Sequence, residues 1–560
     1  MEIYSQAHVC QCLSRLANGR RDCVVTVYGD RRKTGMQFVE EVICLARGLL
    51  ELGIKPGDVV SISALNSDLY LQWMLAITYV GGIAAPLNYR WSLEEAKSAM
   101  EVAQPVLLVT DSSPGFWHST FSIDSVPSLR WHVVIDIPAE ANNAGTILAT
   151  ELLKKPTGRA VDLDFHWAPE GAAVICFTSG TTGKPKGAAI SHSAIIVQSL
   201  AKIAIVRYDE DDVYLHTAPL CHIGGISSAM AMLMAGGCHV ILPKFEAKLA
   251  CEAIREHLVT SIITVPTMMA DLISFNRMNF TSENLDSVRK ILNGGGGLSV
   301  ELIKDAIKLF PRATLLSAYG MTEAASSLTF MTLYDPTKEN PWQHEQDIKR
   351  SDISSQGGVC VGKPAPHIEI RVRSEESADT GRILMRGPHA MLHYWGQSPS
   401  SNLNPASEGW LDTGDIGQID CHGNLWLNGR AKDRIKTGGE NVYPEEVEGV
   451  ISQHPGISRI VVVGVPNSRL SEMVVGCIQL KDGWKWTELS SKHSTQDKGH
   501  YLSSDIIRQF CKEQNLTGFK IPRSFILWKN DFPVTTTGKL RRDHIRAEVV
   551  SQMEFLPSKL

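Results

Sequence analysis

No apolar run in this sequence is both long and unbroken enough to cross a bilayer. The least polar stretches are Trp73 to Leu87, which is too short, and Gly225 to Pro243, which is rich in glycine and carries His239. Both read as buried helix–strand segments, so no transmembrane segment is expected. The first residues lack a basic stretch followed by an apolar core, and no secretory signal is expected there. A basic excess is also missing. The 55 Lys and Arg residues face 60 Asp and Glu, for a net charge of -5, so bulk charge gives no reason to expect nucleic acid. Attraction for an anionic substrate must then be local. Cysteine is plentiful at 12 residues, but zinc-ligand spacing is absent, because the lone C-x-C of Cys10 and Cys12 has no second pair. Most cysteines sit in apolar runs, such as Cys44 in VICLA and Cys176 in VICF. They read as small buried hydrophobes of a reducing compartment. No repeat of fixed period is present.

What the sequence does contain is ordinary soluble-protein material, 43% hydrophobic and 21% charged, in a chain of 560 residues that exceeds a single core. From residue 23 to about 430, short apolar runs alternate with helical patterns. Strands are predicted at Val24 to Tyr28, Val59 to Ala64, Val106 to Val109, Trp131 to Ile135, Tyr214 to Thr217, His239 to Leu242, Ile262 to Val265, Lys290 to Asn293 and Thr314 to Ser317. A helix is predicted from Phe38 to Leu52 with Gly53 behind it, and Ser92 with Glu95 forms a capping box. Such alternation implies α/β layers around mostly parallel sheets. From Gly381 the texture becomes short strands and turns, a small β-rich subdomain. After Arg430 a new unit begins, with a helix at Pro444 to His454 and strands at Arg459 to Val465 and Val474 to Leu480. A boundary is placed at about residue 431, and the polar stretches at roughly 335 to 357 and 481 to 501 read as loops.

One segment concentrates chemistry. Phe177 to Gly187 reads FTSGTTGKPKG directly after the apolar run AAVIC. Gly180 and Gly183 let backbone amides approach a polyphosphate, Thr178, Ser179, Thr181 and Thr182 offer hydroxyl donors, and Lys184 and Lys186 neutralise charge. A flexible surface loop has a similar composition. The segment is not a Walker loop, because Pro185 stands where that motif needs a hydroxyl. The run resembles the signature of the adenylate-forming superfamily, which includes acyl-CoA synthetases, peptide-synthetase adenylation domains and luciferases. With the motifs below, the resemblance covers residues from about 20 to 545.

The resemblance implies an α/β fold. Residues 1–430 would form a large AMP-binding domain holding the acyl and ATP sites, with two mostly parallel α/β sheets and a small β-rich subdomain. Residues 431–560 would form a smaller mobile α+β domain with the hinge and a catalytic lysine. Further motifs fit that scheme. Gly294, Gly295 and Gly296, in NGGGG, leave backbone exposed, where the family binds adenine; the plain alternative is a tight turn. In SAYGMTE, Tyr319 can stack on a purine, Thr322 can donate to the α-phosphate, and Glu323 can hold magnesium. Asp415, in WLDTGD, can bridge two vicinal hydroxyls, while Asp412 reads as a turn residue. The family carries ribose binding at positions matching Asp415 and Arg430.

In the second domain the resemblance places the hinge at Lys432. Lys436, Gly438 and Gly439 would face coenzyme A. Glu445, Glu446 and Glu448 sit in the first turns of a helix, where acids suit the dipole, and read as structural. Lys539, in PVTTTGKLRR, is the family's lysine for adenylate formation, while Lys520 in FKIP is a weaker candidate for a CoA phosphate. For the acid, PLCHIGGISSAM resembles the family's acyl wall. His222 would gate or line it, with a core histidine as the competing reading; Gly225, Ser227, Ser228, Thr267 and Ser326 would make it roomy and partly polar. A long fatty tail needs bulkier apolar lining, so an acid with a second polar group is expected. The runs SDLYLQWMLA, APLNYRWSLEEAK, KILNGGGGLS and LTGFKIP resemble plant 2-succinylbenzoate–CoA ligases, a group serving phylloquinone synthesis. Another acyl-CoA synthetase, acting on hydroxycinnamates or fatty acids, and a luciferase-like relative stay open, as does a non-catalytic nucleotide sensor. Ser558, Lys559 and Leu560 spell a peroxisomal address read by an import receptor, and a chloroplast pool is a further expectation.

Overall fold

The protein is described by a computed structural model covering residues 7–113, 116–135, 147–154, 165–178, 185–279, 285–338, 358–374, 380–397, 409–437, 440–467, 469–487, 500–514, 516, 518–535 and 540–554. It has two compact units. The first comprises Met1–Gln343, Val361–Ile370 and Met385–Leu411, and the second His344–Cys360, Arg371–Leu384 and Asp412–Leu560.

The first unit contains two sheets. In one, strands run in the order Ile147–Ala149, Trp131–Val134, Leu107–Thr110, Val59–Ser63, Ile83–Pro86, Ala172–Thr178, Lys186–Ser191. All neighbours are parallel except the last pair, which is antiparallel. In the other, the order is Arg31–Thr34, Val24–Tyr28, Cys238–Ile241, Val213–His216, Ser261–Thr264, Lys290–Asn293, Thr314–Met321, Ser326–Tyr334. Its middle is parallel and both ends are antiparallel. The strands of a parallel sheet are covered on both faces and read as continuous apolar runs. That is why VVSIS and LLVT are buried at every position.

Local signals hold where they were strongest. The capping box at Ser92 forms both of its hydrogen bonds, from Glu95 N to Ser92 Oγ at 3.2 Å and from Ser92 N to a Glu95 carboxylate oxygen at 2.9 Å. Gly53 adopts φ +81° just beyond the helix Gly35–Glu51, a turn that L side chains adopt poorly. The helix Asp68–Tyr79 and strand Ile83–Pro86 account for the first of the two least polar stretches, and both are buried throughout. Among the described residues no helix is long and apolar enough to cross a membrane.

One strand runs further than expected. Thr314 continues to Met321 because Ser326–Tyr334 pairs with it antiparallel, so the SAYGM run is strand rather than loop. The polar stretch after Leu480 also holds unexpected structure. Trp484–Trp486 pairs in parallel with His500–Leu502, and Trp484 stacks on His500 with ring centroids 4.9 Å apart. Residues 339–357 and 488–499, the centres of the two expected loops, lie outside the described residues.

Glu369–Ser374, Gly381–Arg386, Leu411–Ile419 and Leu425–Arg430, most of whose residues belong to the second unit, follow one another across a sheet. Ile457–Asn467 and Ser471–Leu480 form a long antiparallel pair, with Ser524–Leu527 parallel to the latter strand. The helices Pro444–Ile451 and Ser504–Glu513 pack on this second sheet through Val447, Ile451, Ile507 and Cys511.

Candidate active site

The described residues expected at the nucleotide site in the first unit lie at strand ends and in turns. The antiparallel pair Ala172–Thr178 and Lys186–Ser191 puts Thr178 opposite Lys186, so the phosphate-loop candidate closes between paired ends. Thr178 Oγ1 donates to the Lys186 carbonyl at 3.5 Å. Lys186 is exposed, with its Nζ 5.3 Å from the centre of the Tyr394 ring. Ser179, Gly180, Thr181, Thr182, Gly183 and Lys184 lie outside the described residues.

Beyond the strand Lys290–Asn293 the chain turns through the glycine run. Gly294 N donates to the Thr264 carbonyl at 2.9 Å, Asn293 Nδ2 donates to the Gly296 carbonyl at 2.8 Å, and Gly295 sits at φ +72°. Gly295 and Gly296 are exposed. The turn therefore presents bare backbone, the surface a flat ring can lie against. Tyr319 is half-buried one strand over.

The turn Thr322–Ala324 is held from several directions. Glu323 is 9% exposed, and Tyr394 Oη donates to its carboxylate at 2.7 Å. Met391 N donates to the Glu323 carbonyl at 2.8 Å. Burial, and after it the Glu323 carboxylate, raises the Tyr394 phenol above its ordinary value, so it stays a donor. Gln198 Nε2 donates to the carbonyls of Ala324 and Ser327, at 3.0 and 2.7 Å. Between those two grips the backbone is strained: Ala325 has φ +51° and Ser326 has φ +132°. Gly320 faces the Ser326 carbonyl so closely that no β-carbon fits, which explains a glycine in YGMTE.

A single nearly buried carboxylate with one oxygen occupied by a phenol suits a magnesium ion that keeps waters and takes its other ligands from phosphates. Among the described residues no cluster of three metal-ligating side chains exists.

The acyl-wall candidate is a helix, Ile223–Ala235, with His222 at its N-cap and half-buried. Gly225 packs against the Pro219 carbonyl with no space for a side chain, while Gly224 opens to free space. Ser227 and Ser228 point inward, and Thr267 is exposed at the start of Pro266–Asn279. Sequence reasoning missed Tyr394, Gln198 and Lys202. Tyr394 lies 71 residues from Glu323, so no spacing links them. Gln198 and Lys202 did carry a signal: two polar residues one helical turn apart in the apolar run IIVQSLAKIAIV.

In the second unit, Asp415 and Arg430 are register partners on adjacent strands. Arg430 Nε lies 2.7 Å from Asp415 Oδ1, and Asp415 is 5% exposed. Asp412 Oδ1 accepts from Gly414 N at 2.8 Å, the turn role expected of it. Lys432 and Lys436 are exposed. Glu446 pairs with Lys520 at 2.5 Å, and Arg542 holds Glu445 at 3.1 Å as well as Glu448. Gly438, Gly439 and Lys539 lie outside the described residues.

Comparison with known proteins shows the family. The AMP-binding enzyme family model matches residues 13–395, and the AMP-binding enzyme C-terminal domain matches residues 446–539. The chain belongs to the AMP-binding enzyme family. Within that family it is 54% identical to the 2-succinylbenzoate–CoA ligase of Arabidopsis thaliana, described as chloroplastic/peroxisomal, covering 100% of both chains. It is 30% identical to the indoleacetate–CoA ligase of Aromatoleum aromaticum, over 94% of this chain and 96% of that one. Two solved AMP-binding enzymes share the fold at 24% identity. The o-succinylbenzoate CoA synthetase of Bacillus subtilis, in complex with the acyl-adenylate intermediate OSB-AMP, has a TM-score of 0.74, covering 96% of this chain and 97% of that one. ATP-bound MatB from Rhodopseudomonas palustris has a TM-score of 0.78, covering 98% and 99%.

The ribose role expected of Asp415 makes a direct prediction. Asp415→Ala should raise KM for ATP about 10- to 100-fold, the worth of a hydrogen-bonded charge, with a smaller effect on kcat. An unchanged KM for ATP in a variant with an unchanged melting temperature would remove Asp415 from the nucleotide site.

Proposed function

We propose that this AMP-forming acid–thiol ligase is a 2-succinylbenzoate–CoA ligase. It converts ATP, 2-succinylbenzoate and coenzyme A to AMP, diphosphate and 2-succinylbenzoyl-CoA through an acyl-adenylate. The observation that carries this reading is the 54% identity to a ligase of that name over the whole of both chains. The polar acid wall, Ser227, Ser228 and Ser326, agrees with an acid bearing a second polar group.

In this scheme Thr178, Ser179, Thr181 and Thr182, with the amides of Gly180 and Gly183 and the charges of Lys184 and Lys186, hold the triphosphate. Gly294, Gly295 and Gly296 line the adenine, Tyr319 stacks on it, and Asp415 with Arg430 holds the ribose. Thr322 donates to the α-phosphate, and Glu323, oriented by Tyr394, is the side chain for magnesium, which when bound neutralises phosphate charge. His222 lines the acid site. Lys539 stabilises the first transition state, Lys432 is the hinge between half-reactions, and Lys436, Gly438 and Gly439 serve the thiol substrate. The related Bacillus subtilis synthetase has been solved with ATP and magnesium ion, in keeping with these co-substrates. We carry the two compartments of the Arabidopsis ligase to this chain as well, with Ser558, Lys559 and Leu560 as the residues an import receptor would read.

Purified protein given 2-succinylbenzoate, ATP, magnesium and coenzyme A should release AMP and form the thioester. Turnover of cinnamates or fatty acids, with none of 2-succinylbenzoate, would overturn the assignment while leaving the ligase class intact.

A further inference from the structure

The helix His192–Val206 buries polar side chains alongside Ala194, Ile195 and Val206. Gln198, Ser199 and Lys202 are each fully buried, while Leu200 on the other side is 52% exposed. Burying an ammonium is costly unless it is paired, and a fold gains nothing from doing so beside an exposed leucine. The burial therefore needs another reason.

Lys202 Nζ donates to three hydroxyls: Ser227 Oγ at 2.5 Å, Ser228 Oγ at 3.1 Å and Ser326 Oγ at 3.2 Å. Two of these come from the helix behind His222, and the third from the strained corner beside Thr322 and Glu323. Each hydroxyl accepts from the ammonium and keeps its own proton. Ser227 Oγ donates its own to the Gly224 carbonyl at 3.5 Å and Ser228 bonds Tyr214, so Ser326 is the part-exposed member of the cage. Among the described residues no carboxylate pairs with Lys202. Ser227 and Ser228 are buried, while Ser326 is part-exposed and follows the turn that carries Glu323 by two residues. Gln198, one helical turn before Lys202, grips the carbonyls flanking Ser326 and so fixes where its hydroxyl points. The strain at Ser326 and the missing side chain at Gly320 both serve this placement.

We propose that Lys202, held by Ser227 and Ser228 and acting through the hydroxyl of Ser326, is the cationic anchor for the carboxylate of the acid substrate that is not adenylated. A positive charge without a counter-ion, screened by a cage of hydroxyls and reached through one of them, is a built receptor for a carboxylate. It rests on the 2-succinylbenzoate reading and explains it: a diacid supplies the counter-ion that the fold withholds. Desolvation lowers the Lys202 ammonium to about 7 without substrate, and an arriving carboxylate favours its charged form.

The test compares 2-succinylbenzoate with whichever of its monoacid counterparts, 4-oxo-4-phenylbutanoate or 2-butanoylbenzoate, keeps the adenylated carboxylate, in the full-length enzyme and in Lys202→Met and Ser326→Ala. The unmodified enzyme should prefer the diacid by about 30-fold or more in kcat/KM. Lys202→Met should raise KM for the diacid about 10- to 100-fold, change kcat less, and collapse the diacid-to-monoacid ratio by the same factor. Ser326→Ala should move the ratio in the same direction. No turnover of 2-succinylbenzoate by the unmodified enzyme overturns both readings. Turnover with an unchanged ratio in Lys202→Met overturns this one alone. If Lys202→Met does not fold, the unmodified enzyme and Ser326→Ala decide: a diacid preference near one, or a ratio untouched in Ser326→Ala, overturns the anchor.

Discussion

Replacing Lys539 by alanine should lower acid-dependent exchange of pyrophosphate into ATP by about 10²- to 10³-fold, the cost of removing one preorganised charge from a developing anion. A carboxylate attacking a phosphate joins two anions, and only a positive group placed between them offsets their repulsion as the bond forms. The same variant supplied with ready-made acyl-adenylate and coenzyme A should form thioester within about 3-fold of the unmodified rate, since the charge helps one transition state and not the other. The flanks of the turn bearing Lys539 support such a precise task. Val534 bridges Leu540, and Arg541 N donates to the Pro533 carbonyl at 2.9 Å. Three residues on, Arg542 is clamped by Glu445 and Glu448. A segment whose two flanks are tied together has less freedom to lose than a loose tail. Equal loss in both half-reactions would mean that Lys539 supports the domain rather than the chemistry.

The contrast between what was legible and what was not follows the range of each interaction. The parallel strands and the Ser92 cap depend on neighbours within a few residues, so apolar runs and one S-x-x-E suffice to place them. The full length of the strand Thr314–Met321 depends on a partner strand that begins five residues beyond its end, and the sequence of SAYGM alone shows no strand period. Ser227, Ser228 and Ser326 are visible in the sequence as hydroxyls in or beside two motifs, but not as one cluster. Their common partner, Lys202, comes from a helix 25 and 124 residues away from Ser227 and Ser326. Tyr394 is the extreme case, a residue whose meaning lies wholly in the carboxylate it reaches across the fold. Polar residues inside apolar helices are the one long-range feature a sequence does advertise, because an unsatisfied polar group cannot remain buried.

That contact also sets the second large effect. Glu323→Gln keeps the shape of the side chain and an oxygen to accept from Tyr394, but replaces a hard anionic ligand with a neutral amide. Adenylation should fall about 10²-fold at ordinary magnesium, and the magnesium concentration for half-maximal rate should rise in step, because weaker coordination is recovered by mass action. Tyr394→Phe should produce a smaller version of the same shift, about 3- to 10-fold, since it removes one hydrogen bond to a charged acceptor and leaves the carboxylate. The order of the two effects separates the possible roles of Glu323. If the glutamate only held the turn Thr322–Ala324, glutamine would substitute well and phenylalanine would do more damage, because the backbone grips from Gln198 and Met391 would remain in either variant. If it holds the metal, the ranking reverses and both variants respond to added magnesium. A titration of initial rate against magnesium in the two variants reads the ranking directly, and a magnesium dependence unaltered in Glu323→Gln would take the metal away from Glu323.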